Sequence, residues 1–338
     1  MLNAVRLMLV LSQFQVTAKM VVNASGPWVR RILENSNLVL DDDSTPHVRL
    51  IQGSHIVVPK LYEGGHAYIL QQSDGRIVFT IPYEHNYTLI GTTDRIYEGD
   101  ASRAVISPEE VRYLCSAVNE SFEKQISEED IVWTYSGVRS LVDDGHEKSS
   151  KVTRDYKLFL DEDSGAPILS VFGGKITTYR ALSEEVVGKV MLTLKSHGEN
   201  VSGKAWTATA TLPGGDILNG NFESYFKLQK PRYSFIPEAL LKRYARSYGT
   251  RMEWFLNGVN KLSDLGRNFG DDLYEAEILH LMKHEFALNA DDILWRRSKL
   301  GLHVHENTVQ ALEAAMPSLY KALNEQEEGD VYENASGY

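Results

Sequence analysis

At about residue 204 the chain changes character. Before that point, short runs rich in β-branched and aromatic residues alternate with Gly, Asn and Asp turn signals. After it, apolar residues recur at helical spacing and the turn-separated β runs stop. The strand period and the helix period place side chains on different faces, so the two parts build different layers. The expected fold class is α+β (mixed α/β), with strands dominating first and a helical domain last.

Within the first part, residues 4–23 read as two strands, the second ending in MVVN. ASGPW follows as a sharp turn at Gly26 and Pro27, then a helix with Val29, Ile32 and Leu33 on one face. From Val48 to Thr92, LIQGSHIVVP, HAYILQ, RIVFTIPYE and YTLIGTT are separated by EGG, SDG and EHN. That is the pattern of an antiparallel meander. Ser107 and Glu110 form a capping-box signature ahead of Val111, Leu114 and Val118 at helical spacing. IVWTYSGVRSLV, YKLFLD and PILSVF read as strands, and ITTYRALSEEVVGKVM as a helix. Beyond the LPGGD turn come five helical segments, with Gly249 closing the first and Asp291 opening the fourth. EQEEGDVYENASGY is a polar tail.

Composition narrows the function classes. The 338 residues carry a net charge of −11 and 43% hydrophobic residues, ordinary for a globular chain of about two domains. An acidic chain without a lysine-rich run lacks the footprint of a nucleic-acid binder. Cys115 is the single cysteine, which excludes an internal disulfide framework and a multi-cysteine metal site. No apolar run reaches the length of a membrane span. The opening MLNAVRLMLVLSQFQVTAKM is broken by Arg6 and lacks a small-residue cleavage site, so a reducing, cytoplasmic setting is expected.

Several residues carry chemistry. In VFGGKITTYR, a strand ends in Gly173 and Gly174 and a helix opens after Lys175. Unpaired backbone N–H groups at a helix start, a close backbone approach and a cation suit an anion or an electron-rich carbonyl. A tight β–α turn with a solvated lysine is the plainer alternative. Arg139 sits in an otherwise apolar or small strand and needs a partner. Arg139, Arg154 and Lys175 could together hold a phosphate dianion. Alternatively the arginines form structural ion pairs, Arg154 with Asp155 or Asp143. His55, inside a strand, is either a packed core residue or a proton acceptor. His280 and His284 lie four apart on a helix without a third ligand or an H-E-x-x-H pattern, so no metal site is expected.

Taken in order, VVNASGPWV, IQGSHIVVP, RIVFTIPYE, LIGTTD, DIVWTYSGVRSLVDD, TRDYKL, SVFGGKITTYR and LPGG closely resemble the bacterial aerobic, FAD-dependent glycerol-3-phosphate dehydrogenase family. ADDILWRRSKLGL resembles that family's C-terminal helical domain. The resemblance implies FAD as cofactor and oxidation of sn-glycerol 3-phosphate to dihydroxyacetone phosphate, with electrons passed to a membrane quinone. It implies that Arg139, Arg154 and Lys175 bind substrate and that His55, Arg139 and Lys175 act in catalysis. Ser25, Gly26, Pro27, Gly173, Gly174, Lys175, Ile176 and Thr177 would lie against FAD; the family often has threonine where Ser25 stands. It further implies peripheral attachment to the cytoplasmic face of the inner membrane, and a homodimer is expected.

One family feature is missing. The first glycine is Gly26, and no G-x-G-x-x-G loop for the ADP half of FAD occurs. The expectation is an N-terminally truncated form, with residues 1–47 and 131–203 as a remnant of the FAD-binding domain. Residues 48–130 would form the antiparallel substrate domain, 204–328 the helical domain and 329–338 the tail. Such a chain should bind FAD weakly and turn over little. Two rival readings are a non-catalytic interaction or membrane-docking fragment, and a related flavin amine or amino-acid oxidase.

Overall fold

The computed structural model describes residues 5–9, 12–36, 45–143, 155–163 and 165–335, with backbone alone for 5–16 and 324–335. The chain divides into two units, Met1–Thr209 and Ala210–Tyr338. That division falls close to the change of character in the sequence.

In chain order the first unit contains β1 (Val5–Leu9), β2 (Ser12–Val16), β3 (Val21–Asn23), α1 (Val29–Asn35), β4 (Val48–Pro59), β5 (Tyr68–Gln71), β6 (Ile77–Tyr83), β7 (Tyr87–Gly91) and β8 (Arg95–Ile96). It continues with α2 (Pro108–Asn119), β9 (Trp133–Val142), β10 (Tyr156–Asp161), β11 (Ile168–Gly173) and α3 (Tyr179–Ser196). Residues 4–23 thus hold three strands where the pattern suggested two, because β1 and β2 pair with each other while β3 pairs with β11.

The large sheet is antiparallel as expected, but only β5, β6 and β7 form a meander: β4 pairs with β7 rather than with its chain neighbour β5, and β9 joins β4 from farther along the chain. β5, β6, β7 and β4 pair antiparallel in that order. β7 and then β8 follow one edge of β4, and β9 pairs with the other edge from Val48↔Val142 to Val57↔Trp133. One face of this sheet buries Ile56, Val58, Leu70, Val78 and Ile90 against Leu114, Ala117 and Val118 of α2. Each such Ile, Leu or Val side chain contributes roughly 1.5–3 kcal/mol by leaving water. The capping box at the start of α2 forms as expected between Ser107 and Glu110.

The second sheet has the order β10-β11-β3, with β3 parallel and β10 antiparallel to β11. Val142, at the end of β9, shares a core with Phe172, Val29 and Leu33, so β9 ties the two sheets together.

The second unit is helical: α4 (Phe222–Arg232), α5 (Glu238–Tyr248), α6 (Met252–Leu256), α7 (Glu275–Glu285) and α8 (Glu306–Ala335). Its interior includes Leu241, Tyr244, Met252, Ile278, Leu281, Ile293 and Leu312. Gly249 closes α5 with a positive φ of 54°, as the sequence indicated. The ADDILWRRSKLGL segment is no regular α-helix. It is a π-helical turn at Asp292–Arg297 followed by a 3-10 turn at Leu300–Leu302. Trp295 packs so tightly on Gly301 that a Cβ there would lie 2.3 Å from its ring. Asp291 makes no capping bond; Asn289 caps the segment, its Oδ1 accepting from Asp292 N–H at 2.9 Å, while Asp292 Oδ2 accepts from the N–H groups of Leu288 at 2.8 Å and Asn289 at 3.3 Å.

Candidate functional site

Strand alternation sends Ile56 and Val58 of β4 into the core and puts Gly53 and His55 on the opposite face. On that face three glycines from three strands converge. Gly53 stands opposite Gly137, and His55 stands between Gly91 on one side and Tyr135 on the other. At Gly53 and Gly91 the missing side chain is required, whereas a Cβ on Gly137 would meet nothing within 4 Å. A Cβ on Gly91 would lie 2.2 Å from His55 Cδ2, and one on Gly53 would lie 2.6 Å from Arg139 Nη2. The result is a bare patch of backbone across which the His55 ring and the Arg139 guanidinium lie.

Arg139 is held at two points. Its Nη1 donates to Asp94 Oδ1 at 2.6 Å and its Nη2 donates to Thr92 Oγ1 at 3.2 Å. The side chain keeps 36% exposure. A guanidinium has five N–H donors, so this clamp leaves donors for a ligand. His55 stacks on Tyr135 with ring centroids 4.7 Å apart and planes 10° from parallel. Its Nδ1 is buried without a hydrogen-bond partner. Burial first, and then the nearby Arg139 charge, push its pKa down to about 4, so it is neutral at neutral pH.

A second set of residues gathers where the parallel strands β3 and β11 end. β11 runs into Gly173 and Gly174, at φ 75° and 96°, then Lys175, a 3-10 turn at Ile176–Thr178 and α3. Gly173 abuts β9: a Cβ there would meet Val142 Cγ2 at 2.9 Å and the Asp155 carbonyl at 2.8 Å. Val142 lies three residues beyond Arg139 on the same strand. The Lys175 carbonyl accepts from Thr178 N–H at 3.1 Å and Thr178 Oγ1 at 3.0 Å. Lys175 and Thr177 are exposed, and Ile176 is 84% exposed. β3 runs into Ser25, Gly26 and Pro27 and then α1. Ser25 Oγ donates to Asn23 Oδ1 at 2.6 Å and Asn23 Nδ2 donates to the Val29 carbonyl at 2.9 Å, which pins that turn.

The structure therefore places His55 and Arg139 together on the sheet, and the two glycine turns together at the strand ends. Arg154 lies outside the described residues. Asp143, weighed as its partner, is held by Arg49 at 2.8 Å. Thr92, Asp94 and Tyr135 were not singled out from the sequence. The acidic residue closing LIGTTD was their one legible signal, since a strand arginine calls for a carboxylate. His280 and His284 sit in an aromatic cluster with Trp254 and Phe255, a packing role.

Residues 5–180 match the family described as FAD dependent oxidoreductase, and residues 205–329 match the one described as the C-terminal domain of alpha-glycerophosphate oxidase. A glycerol-3-phosphate dehydrogenase of Pseudomonas aeruginosa is 49% identical over 292 residues, covering 86% of this chain and 55% of the relative. A D-erythritol 1-phosphate dehydrogenase of Brucella abortus is 43% identical over 289 residues, covering 86% of this chain and 56% of the relative. The X-ray structure of a glycerol-3-phosphate dehydrogenase from Bacillus halodurans, complexed with FAD, matches with a TM-score of 0.73 at 25% identity. It covers 93% of this chain and 60% of that one. The chain spans about half the length of the curated relatives it matches.

Proposed function

The chain belongs to the FAD dependent oxidoreductase family, and we propose that it carries the substrate side of a dehydrogenase for sn-glycerol 3-phosphate. The reaction oxidises the C2 hydroxyl to the ketone of dihydroxyacetone phosphate. One observation carries this reading: a clamped guanidinium and a stacked imidazole share one bare glycine face.

Arg139 binds the phosphate with charge-assisted hydrogen bonds from its remaining donors, and Arg154 and Lys175 add positive charge. His55 accepts the proton of the C2 hydroxyl. Its basicity in the free chain is low for that task, first through burial and then through the Arg139 charge, and a phosphate dianion beside Arg139 offsets the second of these. Ligand binding therefore raises His55 toward the range of a useful general base.

The two glycine turns fit the ring end of FAD. Both expose backbone at the carboxyl ends of parallel strands, the place where open α/β sheets take their ligands. Ser25, Gly26, Pro27, Gly173, Gly174, Lys175, Ile176 and Thr177 would hold it. FAD, when bound, supplies the acceptor for the hydride that leaves C2. The start of α3 favours negative charge nearby, and Ile176 offers an apolar contact. Retention of FAD by this chain alone is weak in this reading, because its 338 residues contain no G-x-G-x-x-G loop.

Transfer of electrons to a membrane quinone, peripheral attachment to the cytoplasmic face of the inner membrane, and dimerisation belong to the same proposal. Among the described residues no helix is long and apolar enough to cross a membrane. The relative named for D-erythritol 1-phosphate favours a second reading, a four-carbon polyol phosphate. Calorimetric titration of the chain with sn-glycerol 3-phosphate, D-erythritol 1-phosphate and glycerol tests both. The phosphorylated polyols bind, glycerol does not, and Arg139→Ala abolishes the difference. Equal binding of glycerol and its phosphate would overturn the reading.

A further inference from the structure

On the α2 side of the same sheet, a carboxylate is buried among neutral donors. Glu110 is 6% exposed. It accepts from Thr93 Oγ1 at 2.5 Å, Ser54 Oγ at 2.8 Å, the Ser107 backbone N–H at 2.9 Å and Gln52 Nε2 at 3.2 Å. Burial alone would push this carboxyl up, but the bonds from Thr93, Ser107 and Ser54 outweigh it and hold the group below its ordinary value. An ionised carboxylate in such a place is costly unless its lone pairs are satisfied. Capping α2 accounts for one of the four bonds, the one from Ser107. The other three come from β4 and from the segment between β7 and β8.

The position of Thr93 explains them. It lies between Thr92 and Asp94, the two residues that hold Arg139. Regular pairing with β4 stops at His55↔Gly91 and resumes at Gln52↔Arg95. In the gap, Ser54 N–H donates to Thr93 Oγ1 at 2.9 Å and Thr93 N–H donates to the Ser54 carbonyl at 3.3 Å. Thr93 is turned to the buried side, at 1% exposure, while its two neighbours reach Arg139. Where the backbone ladder lapses, side chains take over, and the Glu110 carboxylate is their common acceptor.

We propose that Glu110 is a positioning residue for the phosphate-binding cation. It fixes Thr93, which sets Thr92 and Asp94, which hold the Arg139 guanidinium in one orientation. The link to phosphate rests on the function proposed above; the ordering of Arg139 does not.

The test is nuclear magnetic resonance of the full 338-residue chain labelled with 15N at arginine, with Arg139 assigned through Arg139→Lys. The guanidinium protons of Arg139 exchange slowly with water in the unaltered chain. In Glu110→Gln and in Thr93→Val they exchange about tenfold faster, the factor set by losing one hydrogen bond to a charged group. The double variant is no faster than Thr93→Val alone, because Glu110 acts on Arg139 through Thr93. Ser107→Ala weakens the α2 cap but keeps the Glu110–Thr93 bond, and leaves Arg139 slow. Unchanged exchange in Glu110→Gln and Thr93→Val, or equal loosening by Ser107→Ala, would overturn the proposal. If Glu110→Gln does not fold, Thr93→Val decides alone. Titration with inorganic phosphate separates the two readings: loosening without any phosphate binding keeps the positioning role and sinks the functional one.

Discussion

His55 on the glycine-lined sheet and His280 in the helical unit are both pushed down to about 4. Their surroundings differ. His280 is 4% exposed, with Tyr248, Phe255 and Trp254 rings at centroid distances of 5.3, 5.1 and 6.1 Å. Burial first, then His284 and Arg251, lower it, and neither ring nitrogen has a hydrogen-bond partner. It packs as a hydrophobic ring. His55 is half-buried, is stacked on Tyr135, and has a clamped cation beside it on a surface stripped of side chains. A depressed pKa therefore does not by itself mark a catalytic histidine. Access and a fixed neighbouring charge separate the two.

The sharpest way to confirm that the helical unit is structural is to break its ion pair. Glu277 is fully buried and receives Arg243 at 2.6 and 2.8 Å and the Tyr248 hydroxyl at 2.6 Å. Arg243→Ala should destabilise that unit by about 3–5 kcal/mol, read by thermal unfolding, because it strands a buried carboxylate. Phosphate binding at Arg139 should persist. Next in size, Arg139→Ala should lower affinity for sn-glycerol 3-phosphate about 100-fold, read by calorimetry, with little change in melting temperature.

Both histidines, lowered alike, contribute to destabilisation under acid. Between the unfolded pKa near 6.5 and the folded value of about 4, the unfolded chain binds more protons at His280. Its contribution is thus fully present above the unfolded value and is lost as pH falls toward the folded one. His280→Phe should flatten this limb, recovering about 2 kcal/mol at pH 5 relative to the unaltered chain. The smallest effect expected is that of Gly53→Ala. Its Cβ would meet Arg139 Nη2 at 2.6 Å and Thr92 Oγ1 at 2.7 Å, and should weaken ligand binding about tenfold or less by moving the guanidinium.

Much of the fold was legible locally. The β4–β7 runs, the Ser107–Glu110 capping box and the Gly249 helix stop all rest on neighbours within a few residues of each other. What stayed hidden depends on register between distant strands. Nothing local indicates that Gly53 will face Gly137, or that Arg139 will find its partners at Thr92 and Asp94. The same holds for Glu110, legible as a helix cap but not as the acceptor behind Thr93. The ADDILWRRSKLGL segment has helical periodicity but forms a π-helical turn and a 3-10 turn, with Trp295 packed on Gly301. The chemistry of Arg139, His55 and Lys175 was suggested by residue type, whereas the glycine patch that gives two of them room came only from pairing.

The most direct measurement follows the His55 imidazole by nuclear magnetic resonance across pH, in the free chain and with sn-glycerol 3-phosphate. In the free chain the midpoint should lie at about 4. With sn-glycerol 3-phosphate it should rise, as the phosphate dianion offsets Arg139, while glycerol leaves it in place. A midpoint in the ordinary histidine range without ligand, or one that ignores the phosphorylated polyol, would contradict the assignment of this face as the substrate site.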